Sequence, residues 1–365
     1  MTMQPEMTDS HAEPKVAEPT VATPPPARPR KRGGLRALFA GLADALQWRL
    51  LVLWALGLLL PTAIVALPVW HSLAAQFDHS LQVERIATAF EPMAMFGAIG
   101  NISENGAWFG GAGFAALALI LLLSPWLSGM VVASIRTGYP LGFTGLIGGG
   151  AREYGRMLRT LLWSLLPLGI AFGIGAAAMG MAGRSTADAI LSADVDRTRN
   201  IALGVVAVLL VLAHASVEAG RGVIASDPAR RSAVRAWGRG FMLLLRRPVA
   251  TLLVYLGTAL AGYGLALVFG LLRVQASGSG WLELLLGLLL TQLLVASVSW
   301  GRSARLYAMA DLARDEQSRR PVRPRKPRAK GQPRFWQRRR VREEAAAPEP
   351  PATAPETRTP EGTAA

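Results

Sequence analysis

Residues 201–217, IALGVVAVLLVLAHASV, form an unbroken apolar run that ends in Glu218 and Arg221 and leads into a basic segment reaching Arg247. As a helix rising ~1.5 Å per residue, this run covers ~26 Å of the ~30 Å hydrocarbon core of a bilayer. It reads as one membrane span. Seven arginines lie from Arg221 to Arg247, and Lys and Arg collect on the cytoplasmic side of spans. The side that this segment reaches is therefore expected to be cytoplasmic, and that orientation sets the rest of the chain.

The composition agrees. Of 365 residues, 51% are hydrophobic, which is more continuous apolar sequence than a soluble domain needs. The chain holds no cysteine, so disulfides, thiolate metal sites, Fe–S ligation and cysteine nucleophiles are excluded. The four histidines are His11, His71, His79 and His214.

In chain order, residues 1–47 open with a stretch, 1–34, that is Pro-, Ala- and Thr-rich, then basic, and nearly free of the large aliphatics of a core. They are expected to be a disordered cytoplasmic tail ending in a short helix over residues 35–46. Spans are expected at residues 50–70, within 107–134, from Arg159 to about Ala182, at 201–217, at 248–272 and at 281–300. Trp48 and Trp70 stand ~33 Å apart on such a helix, and Trp281 and Trp300 ~28 Å, as two interfacial aromatic belts require. Residues 86–100 are apolar but short and contain Glu91 and Pro92; they read as interfacial. Gly148, Gly149 and Gly150 read as a flexible connector between spans. The spans thus define a domain over residues 48–310. Residues 311–365 are a tail that is basic, then acidic and Pro/Ala-rich.

With both termini inside, the inner segments hold 34 Lys and Arg and the outer ones 5, which fits the positive-inside rule. The expected fold class is all-α, a polytopic membrane helical bundle with about six transmembrane helices and disordered termini. A weak repeat accompanies it. Residues 215–221 (ASVEAGR) match residues 296–302 (ASVSWGR) at five of seven positions.

His214 and Glu218 share a helix face, with Arg221 one turn on. Ionisable groups inside a membrane are costly, which makes these three candidates for a relay or for an ion pair that fastens the bundle. With Tyr255, Thr291 and Gln292 they outline a polar path between spans four, five and six. Residues 228–245 place Val234, Trp237, Phe241, Leu244 and Leu245 on one side of a helix and Arg231, Arg235 and Arg239 in a ladder beside them. This helix suits the interface, its arginines among anionic head groups. The polybasic tail, with Arg325, Lys326, Arg328, Arg338, Arg339 and Arg340, is expected to contact the same lipid. Nucleic acid is the weaker partner, because no folded RNA-binding signature accompanies the tail. His71, Asp78 and His79 are too sparse to expect a metal, and no cofactor motif is present.

The Glu-x-Gly-Arg end of residues 218–221, the run DPARRSAVRAW at residues 227–237 and LLRRP at residues 244–248 resemble uncharacterised bacterial six-span inner-membrane proteins. These are distantly similar to the membrane domain attached to some glycerophosphodiester phosphodiesterases. The resemblance covers about residues 48–310 and carries no soluble phosphodiesterase domain and no catalytic residues. It implies a bacterial inner-membrane protein; spans without a chemical constellation lead to the expectation of a non-enzymatic one, with a role in transport, envelope upkeep or assembly of a partner. Anionic lipids, a second copy or another membrane protein are the expected partners. The alternative is a small secondary transporter or channel using the polar path.

Overall fold

Small residues decide where this chain packs. Residues 281–296 are dominated by leucine, whereas residues 297–313 read SVSWGRSARLYAMADLA. Leucine-rich faces suit acyl chains, while Ala, Gly and Ser let helix backbones approach one another. The computed structural model, which describes residues 33–77, 106–186, 191–230, 232–276 and 280–319, follows this division. Its helices are α1 (Gly34–Asp44), α2 (Trp48–Phe77), α3 (Gly106–Thr137), α4 (Phe143–Ser185), α5 (Ser192–Ser226), α6 (Ala233–Arg246), α7 (Pro248–Gln275) and α8 (Trp281–Ser318). There is no strand among the described residues. Helices α2, α3, α4, α5, α7 and α8 are long and apolar enough to cross a membrane. The chain is an all-α, polytopic membrane bundle with six such helices.

The core lies at one end, where α2, α4 and α7 begin and α3, α5 and α8 finish. Leu50, Leu127, Met130, Ile224, Leu243, Met309 and Leu312 are fully buried there. We call it the Arg-rich end. Toward the other end the spans expose leucines such as Leu260, Leu267, Leu282 and Leu288. From Ser297 onward, α8 is buried on most sides and serves as the central post against which α1, α2, α5 and α7 pack.

The folded unit is longer than residues 48–310. Helix α1 docks on α8 so closely that a Cβ on Gly41 would lie 2.7 Å from the Ala304 carbonyl oxygen, and Trp300 Nε1 donates to Leu42 O at 2.9 Å. At the other boundary α8 runs on to Ser318. The expected connector at Gly148–Gly150 is not one. These glycines lie inside α4, and a Cβ on Gly150 would meet the Met130 and Trp126 side chains of α3 at 2.8 Å. Absent side chains, rather than backbone freedom, are what this crossing uses. The expectations for the two chain ends, for residues 86–100 and for Asp78 and His79 lie outside the described residues.

The basic residues near the core are largely occupied with helix ends. Arg136 ends α3 by pairing with Glu153 of α4 and donating to Ile224 O of α5 at 2.8 Å. Arg314 of α8 donates to Ile135 O at 3.0 Å. Arg314 thus satisfies a carbonyl that the α3 C-terminus leaves unpaired, and Arg136 adds a donor to the Ile224 carbonyl, which also accepts from Asp227 N at 3.4 Å. Gln47, Tyr307 and Ser134 close a ring of three hydrogen bonds: Gln47 Nε2 to Tyr307 OH at 2.9 Å, Tyr307 OH to Ser134 Oγ at 2.8 Å, and Ser134 Oγ to Gln47 Oε1 at 3.0 Å. It ties the α1–α2 junction to α3 and α8, and opening it would strand part-buried polar atoms at about 1–3 kcal/mol each.

Helix α6 follows a turn in which Asp227 accepts from Ala229 N at 3.0 Å and pairs with Arg230 at 2.8 Å. Ser232 caps α6 by accepting from Arg235 N, and Pro248 opens α7 at its first turn, where a missing N–H costs nothing. The face of α6 that packs on the bundle is not the Val234–Phe241–Leu245 side. Ala233, Ala236, Gly240, Leu243 and Leu244 pack inward, while Val234, Phe241 and Leu245 are 49%, 41% and 59% exposed. Gly220 of α5 and Gly240 explain why, since a Cβ on Gly240 would lie 2.6 Å from Gly220 Cα. Backbone contact outranks bulk at this interface.

Candidate functional site

The polar cluster begins on α5. Because His214, Glu218 and Arg221 follow helical spacing, they stack on one face. His214 Nε2 stands 3.6 Å from Glu218 Oε1, and Arg221 Nη1 donates to that oxygen at 2.7 Å. Glu218 is 7% exposed, and this charge-assisted bond is what makes its burial tolerable. From α7, the Tyr255 hydroxyl lies 2.7 Å from His214 Nδ1. Arg305 of α8 then covers the Tyr255 ring, its Cζ 4.7 Å from the centroid, and Arg305 Nε donates weakly to Thr258 Oγ1 at 3.4 Å. Three helices are thus joined by one chain: Arg221, Glu218, His214, Tyr255, Arg305.

Beside it lies a cavity of about 210 Å³, walled by mostly apolar residues of α2, α3 and α4, with Ser124 and Ser164 among them, and bordered at its more polar end by His214, Arg221 and Arg302. Arg302 Cζ sits 5.9 Å over the Trp54 ring. The weak repeat has a structural counterpart. Gly220 abuts α6 and Gly301 abuts Gly262 of α7, and the arginine after each glycine, Arg221 and Arg302, lines this cavity.

His214, Glu218, Arg221 and Tyr255 are therefore brought together. Thr291 and Gln292 are not. Thr291 Oγ1 donates back to Gly287 O at 2.8 Å, and the fourteen residues from Thr291 to Arg305 place it ~21 Å along α8 from the Tyr255 contact. Arg302, Arg305 and Trp54 belong to the cluster but went unread in the sequence; the repeated Gly-Arg pair was the signal for Arg302. Of the lipid-contact arginines, Arg235 and Arg239 are exposed on α6, and Arg231, Arg325, Lys326, Arg328, Arg338, Arg339 and Arg340 lie outside the described residues. Among those described, no group of three or more His, Asp or Glu side chains is placed to hold a metal ion.

The class of protein that fold and cluster define is a six-helix polytopic membrane bundle with a polar, arginine-bearing cavity at one end. Comparison with family models, with curated proteins and with solved structures found no match.

Proposed function

We propose that this is a non-enzymatic bacterial inner-membrane protein with both termini cytoplasmic, whose basic face engages anionic lipid and which serves transport, envelope upkeep or assembly of a partner. The observation that carries the lipid contact is the three-sided character of α6. One flank packs on α5, the next presents Val234, Phe241 and Leu245, and the third presents Arg235, Arg239 and Arg246. A helix with a buried flank, an exposed apolar flank and a basic flank suits the plane of a membrane interface. The apolar flank also continues into a groove of about 270 Å³ lined by Phe241, Trp237, Pro167 and Leu212, which suits acyl chains. Spin labels on this Cys-free chain test it. In reconstituted protein, labels at Val234→Cys and Leu245→Cys should be relaxed by oxygen, and a label at Arg239→Cys by a water-soluble nickel reagent. Equal access of the nickel reagent to all three would place α6 in water and reject the reading.

A second reading, a small secondary transporter or channel, is favoured by His214 and Arg221 lining a cavity. Unchanged proton flux and pH response in reconstituted Glu218→Gln protein would remove it.

A further inference from the structure

Three arginines surround one carboxylate in the polar cluster. Glu218 is matched by Arg221, but among the described residues no carboxylate lies within ion-pair distance of Arg302 or Arg305. Arg305 is only 4% exposed. Arg302, which is exposed and lines the cavity, has no carboxylate partner of its own, and an anion taken up beside it would also offset the positive charge of the buried Arg305 one turn further along α8. Other donors nearby also lack acceptors. Arg221 makes its one side-chain hydrogen bond through Nη1, and the Nε1–H of buried Trp54, a residue of the cavity wall, meets no acceptor.

The rest of the cavity says what kind of anion. At about 210 Å³ it falls below the ~300–1,000 Å³ of sites that enclose a whole small molecule. It suits a fragment whose remainder lies elsewhere. Its other walls are mostly apolar, with Ser124 and Ser164 among them, and Ile120 and Leu121 on α3, which border it, are exposed on the flank that spans present to lipid. A ligand with a compact anionic head and an apolar remainder matches both ends.

We propose that this cavity binds the phosphate of a membrane phospholipid, held by Arg221 and Arg302, with the glycerol and acyl part leaving past Leu121. Trp54 forms part of its wall. The inference rests on the membrane-embedded reading above, but not on α6 lying in the interface.

The test uses full-length protein in a neutral detergent, following thermal unfolding against dioctanoyl phosphatidylglycerol, dioctanoylglycerol and sodium phosphate at matched ionic strength. The phosphatidylglycerol should raise the melting temperature saturably, and the uncharged diacylglycerol and free phosphate should not. Arg302→Gln removes an exposed arginine without a carboxylate partner, so the bundle should still fold. It should weaken half-saturation about tenfold, as loss of a hydrogen bond to a charged group implies, and Arg302→Lys should recover part of this. Leu121→Trp, at the mouth, should weaken lipid binding while leaving the melting temperature without lipid unchanged. The double variant Arg235→Gln/Arg239→Gln separates the surface of α6 from the cavity and should retain the saturable shift that Arg302→Gln weakens. Equal responses of the parent and Arg302→Gln, an equal shift with dioctanoylglycerol, or free phosphate matching the lipid would each overturn the site. If the double variant loses as much as Arg302→Gln, binding is to the surface of α6; the cavity site then falls while the interfacial reading stands.

Discussion

Gly262→Val is expected to cost about 3 kcal/mol or more and to leave little folded protein in detergent, whereas Gly264→Val, two residues along the same helix, is expected to behave like the parent. A Cβ on Gly262 would lie 2.9 Å from Gly301 Cα and 3.1 Å from Ser297 O, but one on Gly264 would meet nothing within 4 Å. The obstructing atoms at Gly262 are backbone, so no rotamer change relieves the overlap, and the cost lies at or above the upper end of the usual overpacking range. Helices α7 and α8 would have to part, and α8 is the post for the rest. Size-exclusion recovery after heating separates the two variants. Equal recovery would show that α7 and α8 are not packed backbone to backbone.

The second large effect concerns Asp315. Its side chain, 4% exposed, receives Arg247 Nη1 at 2.8 Å and Arg319 Nη2 at 2.9 Å. It therefore joins the start of α7 to the end of α8. Asp315→Ala leaves the half-buried Arg247, 18% exposed, without its partner and frees the more exposed Arg319, so the loss should approach but not exceed the ~3 kcal/mol at the lower end for breaking a buried pair. The neighbouring Arg246–Glu316 pair, 3.2 Å apart with Arg246 54% exposed, is a contrast. Glu316→Gln should change stability by no more than about 1 kcal/mol. Melting temperatures of both variants in one detergent decide the matter, and equal losses would contradict the assignment of Asp315 as a buried clasp.

Much of this architecture is legible in the sequence because span length and apolar composition are local properties. Each of the six expected spans coincides with a helix, and the helix expected over residues 228–245 is present as α6, though it begins only at Ala233, after the Asp227–Arg230 turn. What was misread depends on partners distant in sequence. Gly148–Gly150, which read as a connector, serve a helix crossing that only Trp126 and Met130 make visible, and the small-residue face by which α6 packs on Gly220 carries no bulk to mark it. The same holds for charge. Arg136 and Arg314 count toward a basic inner face in the sequence, yet in the fold they cap α5 and α3. His214, Glu218 and Arg221 were findable by spacing on one helix. Arg305, fifty residues beyond Tyr255, was not.

The central claim is a six-span bundle with its Arg-rich end on the cytoplasmic side, and single cysteines test it most directly because the chain has none. In intact cells, a membrane-impermeant maleimide should label Asp196→Cys, before the apolar part of α5, and should leave Arg230→Cys, in the α5–α6 turn, unlabelled until the membrane is opened. Labelling of Arg230→Cys in intact cells, with Asp196→Cys protected, would contradict the orientation; labelling of both in intact cells would contradict the span between them.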